Sequence, residues 1–271
     1  MAVRAVPEED LAALAPLFAG WEWEASMIGA CLEGCMGRAY GVGSPPQGAL
    51  LAVGDFCFFG GEPSPALAAF LPPGVGPQPL LVPQNAAWAA AIEAAYGARA
   101  HAFTRYATRR DPGAFDRARL RGFAAALPPG YALKPIDEPL YHAALAAPWS
   151  RDLCTNFPTY GAYAAHGLGV AALCGEELAA GASAYSYDSG GIEIEIDTRP
   201  DHRRRGLALA CGAALVLACL ARGLYPGWDA HDLRSLALAE KLGYRLDRPY
   251  RAYLLERAPS KALEGGGTCP N

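Results

Sequence analysis

The segment that most constrains this chain runs IEIEIDTRPDHRRRGLALACGAALVLACL, from Ile192 to Leu220. Its opening alternates aliphatic and acidic residues, with Glu193, Glu195 and Asp197 between Ile192, Ile194 and Ile196. That is the period of a β-strand carrying three acids on one face. Its end, Leu207–Leu220, is almost wholly apolar, the pattern of a buried helix. This run falls short of the roughly 18–20 residues that a membrane-spanning helix needs. Between them lie a proline-marked turn, Arg203, Arg204 and Arg205, then Gly206, Leu207 and Ala208. Three cations crowd the positive end of a helix dipole, an unfavourable arrangement. An anion held by the free amides of the first turn relieves it, and small residues at 206 and 208 let a phosphate come close. The competing reading is a basic first turn on an ordinary helix.

The rest of the composition sets bounds. With 271 residues, 52% of them hydrophobic, the chain has material for two parts and a substantial core without disulfide or metal support. Its 23 Lys and Arg against 27 Asp and Glu give no reason to expect nucleic acid as a partner. The start, MAVRAVPEEDLAALAPLF, reaches acids too early for a secretory segment, so a cytoplasmic, non-membrane protein is expected. The eight cysteines form no Cys-x-x-Cys and have no histidine at zinc-finger spacing, which favours reduced core thiols and no metal.

Along the chain, residues 1–128 begin with a helix over Glu8–Phe18. Strands at Ala49–Val53 and Phe56–Phe59 follow, then a capped helix ending at Gly97 and a strand over His101–Thr108. Arg109, Arg110, Arg117, Arg119 and Arg121 read as the wet face of a helix, and Pro128–Gly130 as a boundary. Residues 129–257 give a helix at Asp137–Ala146 and strands at Gly169–Cys174, Leu178–Tyr187 and Gly191–Thr198. A helix at Leu207–Ala221, a strand at Leu224–Asp229, a helix at Leu233–Leu242 and a closing strand at Tyr250–Leu255 complete that half. Antiparallel strands leading into β-α-β-α-β make an α/β unit, a mixed, mostly antiparallel sheet with helices on both faces. Residues 258–271, with GGG, are expected to be a mobile tail.

Arg203-x-x-Gly206-x-Ala208 resembles the [QR]-x-x-G-x-[GA] signature of the GCN5-related N-acetyltransferases (GNAT). A second block, Asp232-Leu233-Arg234-Ser235 through Lys241-Leu242-Gly243-Tyr244, resembles that family's N-x-x-[SA]-x-x-L-x-x-K-L-G-[FY] ending, with Asp232 where most members have Asn. The stretches GIEIEIDT, RRGLA, LYPGWDA and LAEKLGY are similar to a bacterial subgroup that includes zwittermicin-resistance-type acetyltransferases. Gly37–Pro63 resembles the subgroup's leader domain. The resemblance implies a C-terminal GNAT domain preceded by a smaller, degenerate GNAT-like one.

It also implies acetyl-CoA as acyl donor and a small primary amine, such as an antibiotic, as acceptor, with a homodimer left open. By that likeness the backbone near Ile196, Asp197 and Thr198 pairs with the pantetheine arm and the amides of Arg203–Ala208 hold the diphosphate. Asp232 and Ser235 lie near the cofactor. On an antiparallel edge strand Glu193, Glu195 and Asp197 would simply form the wet face; in such a fold the strand is central, and three acids there need a polar cavity. Glu195, then Glu193, is the candidate base for an amine that arrives protonated. Many members carry a tyrosine where this chain has Ala239, so Tyr185, Tyr187 and Tyr244 stand only as nearby hydroxyls. Arg151, Asp152 and Asn156 are candidate substrate contacts, and His231 a candidate base. The alternative is a weakly catalytic CoA-binding or regulatory protein.

Overall fold

The computed structural model of this chain describes residues 2–21 and 24–256; the tail expected at 258–271 lies outside them. The first half supplies β1 (Arg4–Ala5), β2 (Arg38–Gly43), β3 (Pro46–Val53), β4 (Phe56–Gly61), β5 (Leu80–Pro83) and β6 (Ala100–Thr108). The second supplies β7 (Tyr131–Pro135), β8 (Gly169–Cys174), β9 (Glu177–Tyr187), β10 (Gly191–Thr198), β11 (Tyr225–Gly227), β12 (Asp229–Ala230) and β13 (Leu246–Leu255). They form an eight-stranded sheet ordered β1-β2-β3-β4-β5-β13-β6-β12 and a five-stranded sheet ordered β11-β10-β9-β8-β7. Each sheet is antiparallel apart from one parallel pair, β4 with β5 and β10 with β11. The two halves thus share an architecture.

Two expectations need correction. The closing strand does not complete the second-half sheet: β13 pairs antiparallel with β6 along its length and with β5 at Tyr253 and Leu254. The run Leu224–Asp229 is not one strand either. β11 stays with β10, and the chain then crosses to pair Asp229 with Ala107 and Ala230 with Tyr106. The first-half sheet is consequently the larger of the two. Residue pattern could not announce this, because side-chain alternation fixes which face is buried, not which neighbour a strand takes.

Helices interlock the halves further. In chain order the α-helices are α1 (Ala25–Leu32), α2 (Pro65–Ala68), α3 (Ala86–Tyr96), α4 (Arg117–Ala125), α5 (Glu138–Ala146), α6 (Tyr160–His166), α7 (Leu207–Ala221) and α8 (Leu233–Leu242). α1 packs across β9 and β10, and α4 packs on α7. The almost uniformly apolar composition of α7 is explained by its place, between β8, β9 and β10 on one side and α4 and α8 (Leu233–Leu242) on the other. α4 buries only Leu120 and leaves Arg117, Arg119 and Arg121 in solvent, as the sequence pattern implied, whereas Arg109 and Arg110 precede the helix, Arg110 with its guanidinium over the Tyr225 ring. α8 starts where the Asp232 carboxylate accepts from the N–H groups of Arg234 and Ser235 and stops at Gly243, whose φ of +116° suits glycine. Glu8–Phe18 is a 3-10 helix rather than an α-helix, with Pro16 inside it. Among the described residues no helix is long and apolar enough to cross a membrane, and the seven cysteines described are free.

Because β13 buries Ala252, Tyr253 and Leu255 in the first-half sheet, residues 129–256 produced alone should be insoluble or aggregated. Co-expression with residues 1–128 should return a soluble 1:1 complex on size exclusion.

Candidate active site

The crossing of Gly227–Ala230 from one sheet to the other opens a cleft. β11 pairs with β10 only through Glu193, whereas β9 accompanies β10 as far as Thr198. From Ile194 to Thr198 the other edge of β10 therefore has no strand beside it among the described residues. A register shift between Glu193 and Ile194, where β10 is paired with β9, marks the point at which the strands part. Beyond the two-residue pairing of β12 with β6, side chains satisfy the backbone that crosses. Thr108 Oγ1 donates to the Trp228 carbonyl at 2.7 Å, Arg105 Nη2 to the Asp229 carbonyl at 3.3 Å, and the Asp229 N–H to Glu193 Oε1 at 2.6 Å. Two of these three groups come from β6 in the first half.

Arg105 is the hub of the seam. Its Nε donates to Asp229 Oδ2 at 2.6 Å, with both side chains almost fully buried. Tyr250 on β13 donates to the same carboxylate oxygen at 2.6 Å, and Arg105 Nη1 donates to His231 Nδ1 at 3.1 Å. The His231 ring therefore presents Nδ1 as an acceptor, and burial and then Arg105 lower its pKa. The guanidinium also lies over the Phe56 ring, 4.9 Å from its centre.

The cleft encloses about 910 Å³ and is walled by both halves. On the second-half side are Ile194, Glu195, Ile196, Asp197, Thr198, Arg203, Ala208, Asp232 and Ser235, together with Asp152 and Tyr185. Facing them are Asp55, Phe56, Gln78, His101, Phe103 and Arg105. Most of the candidate residues thus meet in one place.

Glu193 is the exception among the acids. It is buried behind the cleft wall and committed to the Asp229 N–H. Arg204, Arg205, Gly206 and Leu207 also lie off the wall, in the turn below Arg203. Arg205 points back, donating to Tyr131 Oη at 2.7 Å and to the Asp201 carbonyl at 3.0 Å. Arg204 and Gly206 both take positive φ, +62° and +81°, so the turn folds tightly into the start of α7. No side chain caps that helix, and a Cβ built on Gly206 would meet nothing within 4 Å. The first amides of α7 thus face open space.

Glu195 and Asp197 are raised by burial and by neighbouring acids, and Asp152 by burial. Burial and then Asp197 push Glu195 up to about 8, against the N–H of Ile196, which its Oε1 accepts at 3.0 Å. Asp197 rises to about 6 through burial and Asp152, with Arg203 opposing. Asp152 rises through burial, with Arg151 opposing. Asn156 instead donates to the Tyr185 carbonyl at 3.0 Å. Of the three tyrosines considered, Tyr187 donates to the Cys35 carbonyl and Tyr244 to that of Pro226, and only Tyr185 lines the cleft. Its oxygen accepts the Asp55 N–H at 2.8 Å. Ala239 is buried in α8. The described residues contain no cluster of His, Cys, Asp and Glu suited to a metal ion.

Sequence reasoning missed the wall from the first half. One signal was present: Arg105 alternates with Phe103 and Ala107, which puts a charge on the apolar side of a strand.

A two-half α/β fold whose parallel strands part beside an uncapped helix start is the arrangement of acyltransferases of the GNAT fold, and comparison with known proteins bears on it directly. The family model for GNAT acetyltransferase matches residues 15–253. The chain belongs to the GNAT acetyltransferase family. The crystal structure of a GCN5-related N-acetyltransferase-like protein from Streptococcus suis 89/1591 is 45% identical, with a TM-score of 0.86 over 92% of this chain and 99% of that one. The uncharacterized N-acetyltransferase YdfB of Bacillus subtilis (strain 168) is 28% identical over 131 residues, 47% of this chain; the match spans about half of that relative's length, 49%. A tandem GNAT protein from the clavulanic acid biosynthesis pathway shares the fold alone, at 13% identity and a TM-score of 0.57 over 95% of this chain and 99% of that one.

Arg105→Ala should leave Asp229 buried and unpaired and cost about 3–5 kcal/mol. Urea unfolding measures this, and Arg105→Met, which keeps the packing but not the charge, should recover little of the loss.

Proposed function

We propose that this protein is an acetyl-CoA-dependent N-acetyltransferase that acetylates a primary amine of a small cationic molecule. The observation that carries the reading is the unpaired edge of β10 from Ile194 to Thr198, leading down to the uncapped start of α7 in a cleft lined by acids. An extended pantetheine arm fits such an edge as a further strand would. Its amide carbonyl would take the Ile196 N–H now bonded to Glu195, releasing that carboxylate toward the acceptor. The diphosphate fits the amides of Arg203–Ala208, where Arg203 adds a charge and the helix dipole favours an anion. Asp232 is occupied as the cap of α8 and Ser235 Oγ accepts from Trp228 Nε1, so both shape the cofactor's side of the cleft rather than react.

The acceptor ammonium is drawn to Glu195, Asp197 and Asp152. Glu195, with its pKa close to the working pH, takes the amine proton directly or through water. The free amine nitrogen then attacks the thioester carbon, the C–N bond forms, and the C–S bond breaks. The departing thiolate takes a proton from the Tyr185 hydroxyl or from water. Glu193 supports the reaction by fixing Asp229 rather than by touching substrate. The shared EIEIDT and LYPGWDA stretches favour an acceptor like those of the zwittermicin-resistance-type enzymes, an amine-bearing antibiotic met in the cytoplasm.

An acetylation screen over polyamines, aminoglycosides and amino-sugar antibiotics, read by released CoA thiol, tests the reading. Binding of acetyl-CoA with no thiol release for any amine would favour a CoA-binding regulator, which Ala239 also suits. The wild-type kcat/KM should rise with pH through about 8, where Glu195 ionises. Glu195→Gln should flatten that rise and lower the rate about 100-fold; an unchanged profile would clear Glu195. Gly206→Val should raise the acetyl-CoA Kd about tenfold in calorimetry, because its Cβ occupies the space the diphosphate needs and disfavours a positive φ.

A further inference from the structure

Behind the cleft wall, buried polar atoms without partners gather at one place. Glu24 precedes α1 and does not use its carboxylate to cap that helix. It is 1% exposed, and among the described residues neither of its oxygens has a hydrogen-bond partner. Ser26 Oγ in the first turn of α1, Ser186 Oγ on β9 and Asp229 Oδ1 at the crossing are also buried and have no partner among the described residues. These residues share a neighbourhood. Ser186 lies directly opposite Glu193 across β9 and β10, so both project from one face of the sheet, and α1 packs across those two strands. Glu193 Oε2 and Ser26 Oγ both flank Gly227, where an added Cβ would clash with the first and lie 3.0 Å from the second. Glu24 interacts electrostatically with Asp229, Glu193 and Arg105. Gly227 and Asp229 are the residues between which the chain leaves β10. The cluster therefore sits at the root of the opening through which the acyl donor would be held.

Buried polar groups without protein partners are satisfied by enclosed water where a site offers a water two to four partners. We propose that Glu24, Ser26 and Ser186 enclose ordered water, which ties Glu193 and Asp229 together at the root of the opening and makes Glu24 a positioning residue for acetyl-CoA. Glu24 contacts neither donor nor acceptor. It acts through the water on Asp229, and Asp229 with Arg105 keeps Gly227–Ala230 off the open edge of β10.

The charges around the site are consistent with this role. Glu193 on β10, Asp229 on β12 and Glu24 before α1 are three acids facing one guanidinium, Arg105 on β6, with the Tyr250 hydroxyl from β13 and His231 at its rim; Arg110 also acts on Glu193. Burial first, then Asp229 and Glu193, push the Glu24 carboxyl well above the usual range, with Arg105 opposing. A carboxyl that keeps its proton can donate to water as well as accept from it, which limits the negative charge gathered against one arginine.

The positioning role rests on the acetyl-CoA reading, so two measurements are needed. A high-resolution crystal structure of the full chain without ligand tests the water site alone. Water within hydrogen-bond distance of Glu24 and of Ser26 or Ser186 is expected, and a dry site overturns the proposal. Calorimetry with acetyl-CoA on variants tests the role. Glu24→Gln keeps volume, donor and acceptor, and should leave the Kd within about twofold, whereas Glu24→Leu should raise it about tenfold. A folded Glu24→Leu protein that gains stability and binds acetyl-CoA as wild type does overturns the role, since that is how a dry, unpaired carboxyl behaves when replaced by an apolar group. Should Glu24→Leu fail to fold, Ser186→Ala decides: a Kd raised about threefold supports the role and an unchanged one overturns it. Wild-type protein that binds no acetyl-CoA removes the donor reading and the role with it, while the crystallographic result on the water still stands by itself.

Discussion

The ion pair between Arg105 and Asp229 is the interaction on which the rest of the cleft depends. Removing both charges from water costs several kcal/mol per ion, so the pair must be held by geometry rather than by attraction alone. Tyr250 and the Asp229 carbonyl supply that geometry, and Phe56 lies against the guanidinium. The result is local. A stretch of backbone that would otherwise continue beside β10 is anchored to β6, in the other sheet. The open edge exists because its natural neighbour is tethered elsewhere.

Once the edge is open, its chemistry follows from the sequence of β10. Acids that would be harmless on a wet strand are crowded inside a walled cleft, and each makes its neighbours harder to ionise. A cation entering the cleft relieves that crowding. The arginines at the start of α7 create the opposite need a few residues away. The mild net charge of −4 therefore hides two fields of opposite sign within one stretch of chain.

The parts of this arrangement legible in the sequence are those governed by near neighbours. Alternation over Ile192–Asp197, the glycine turn at 206 and the Asp232 cap each carry their own signal, and the elements formed where those signals lie. The parts that were not legible depend on the choice of distant partners. Tyr250–Leu255 reads as a strand in any sheet, and only its burial against β5 and β6 decides which. Leu224–Asp229 reads as one strand because periodicity does not register a change of sheet after Gly227. Glu24 gave no signal, since an acid just before a helix normally serves that helix. Arg105 gave one, a charge on the apolar face of β6.

The pairing of β13 with strands of the first half has a consequence for biosynthesis. β5 and β6 leave the ribosome well over a hundred residues before β13 does. A nascent chain commonly folds its early part first, but here that part must wait with a vacancy between two of its strands. Such a gap exposes strand edges that invite the wrong partner, another chain included. The same delay keeps an incomplete polypeptide from forming the cleft. Assembly of the site thereby acts as a check on translation, because both walls exist only after the late strand has been made.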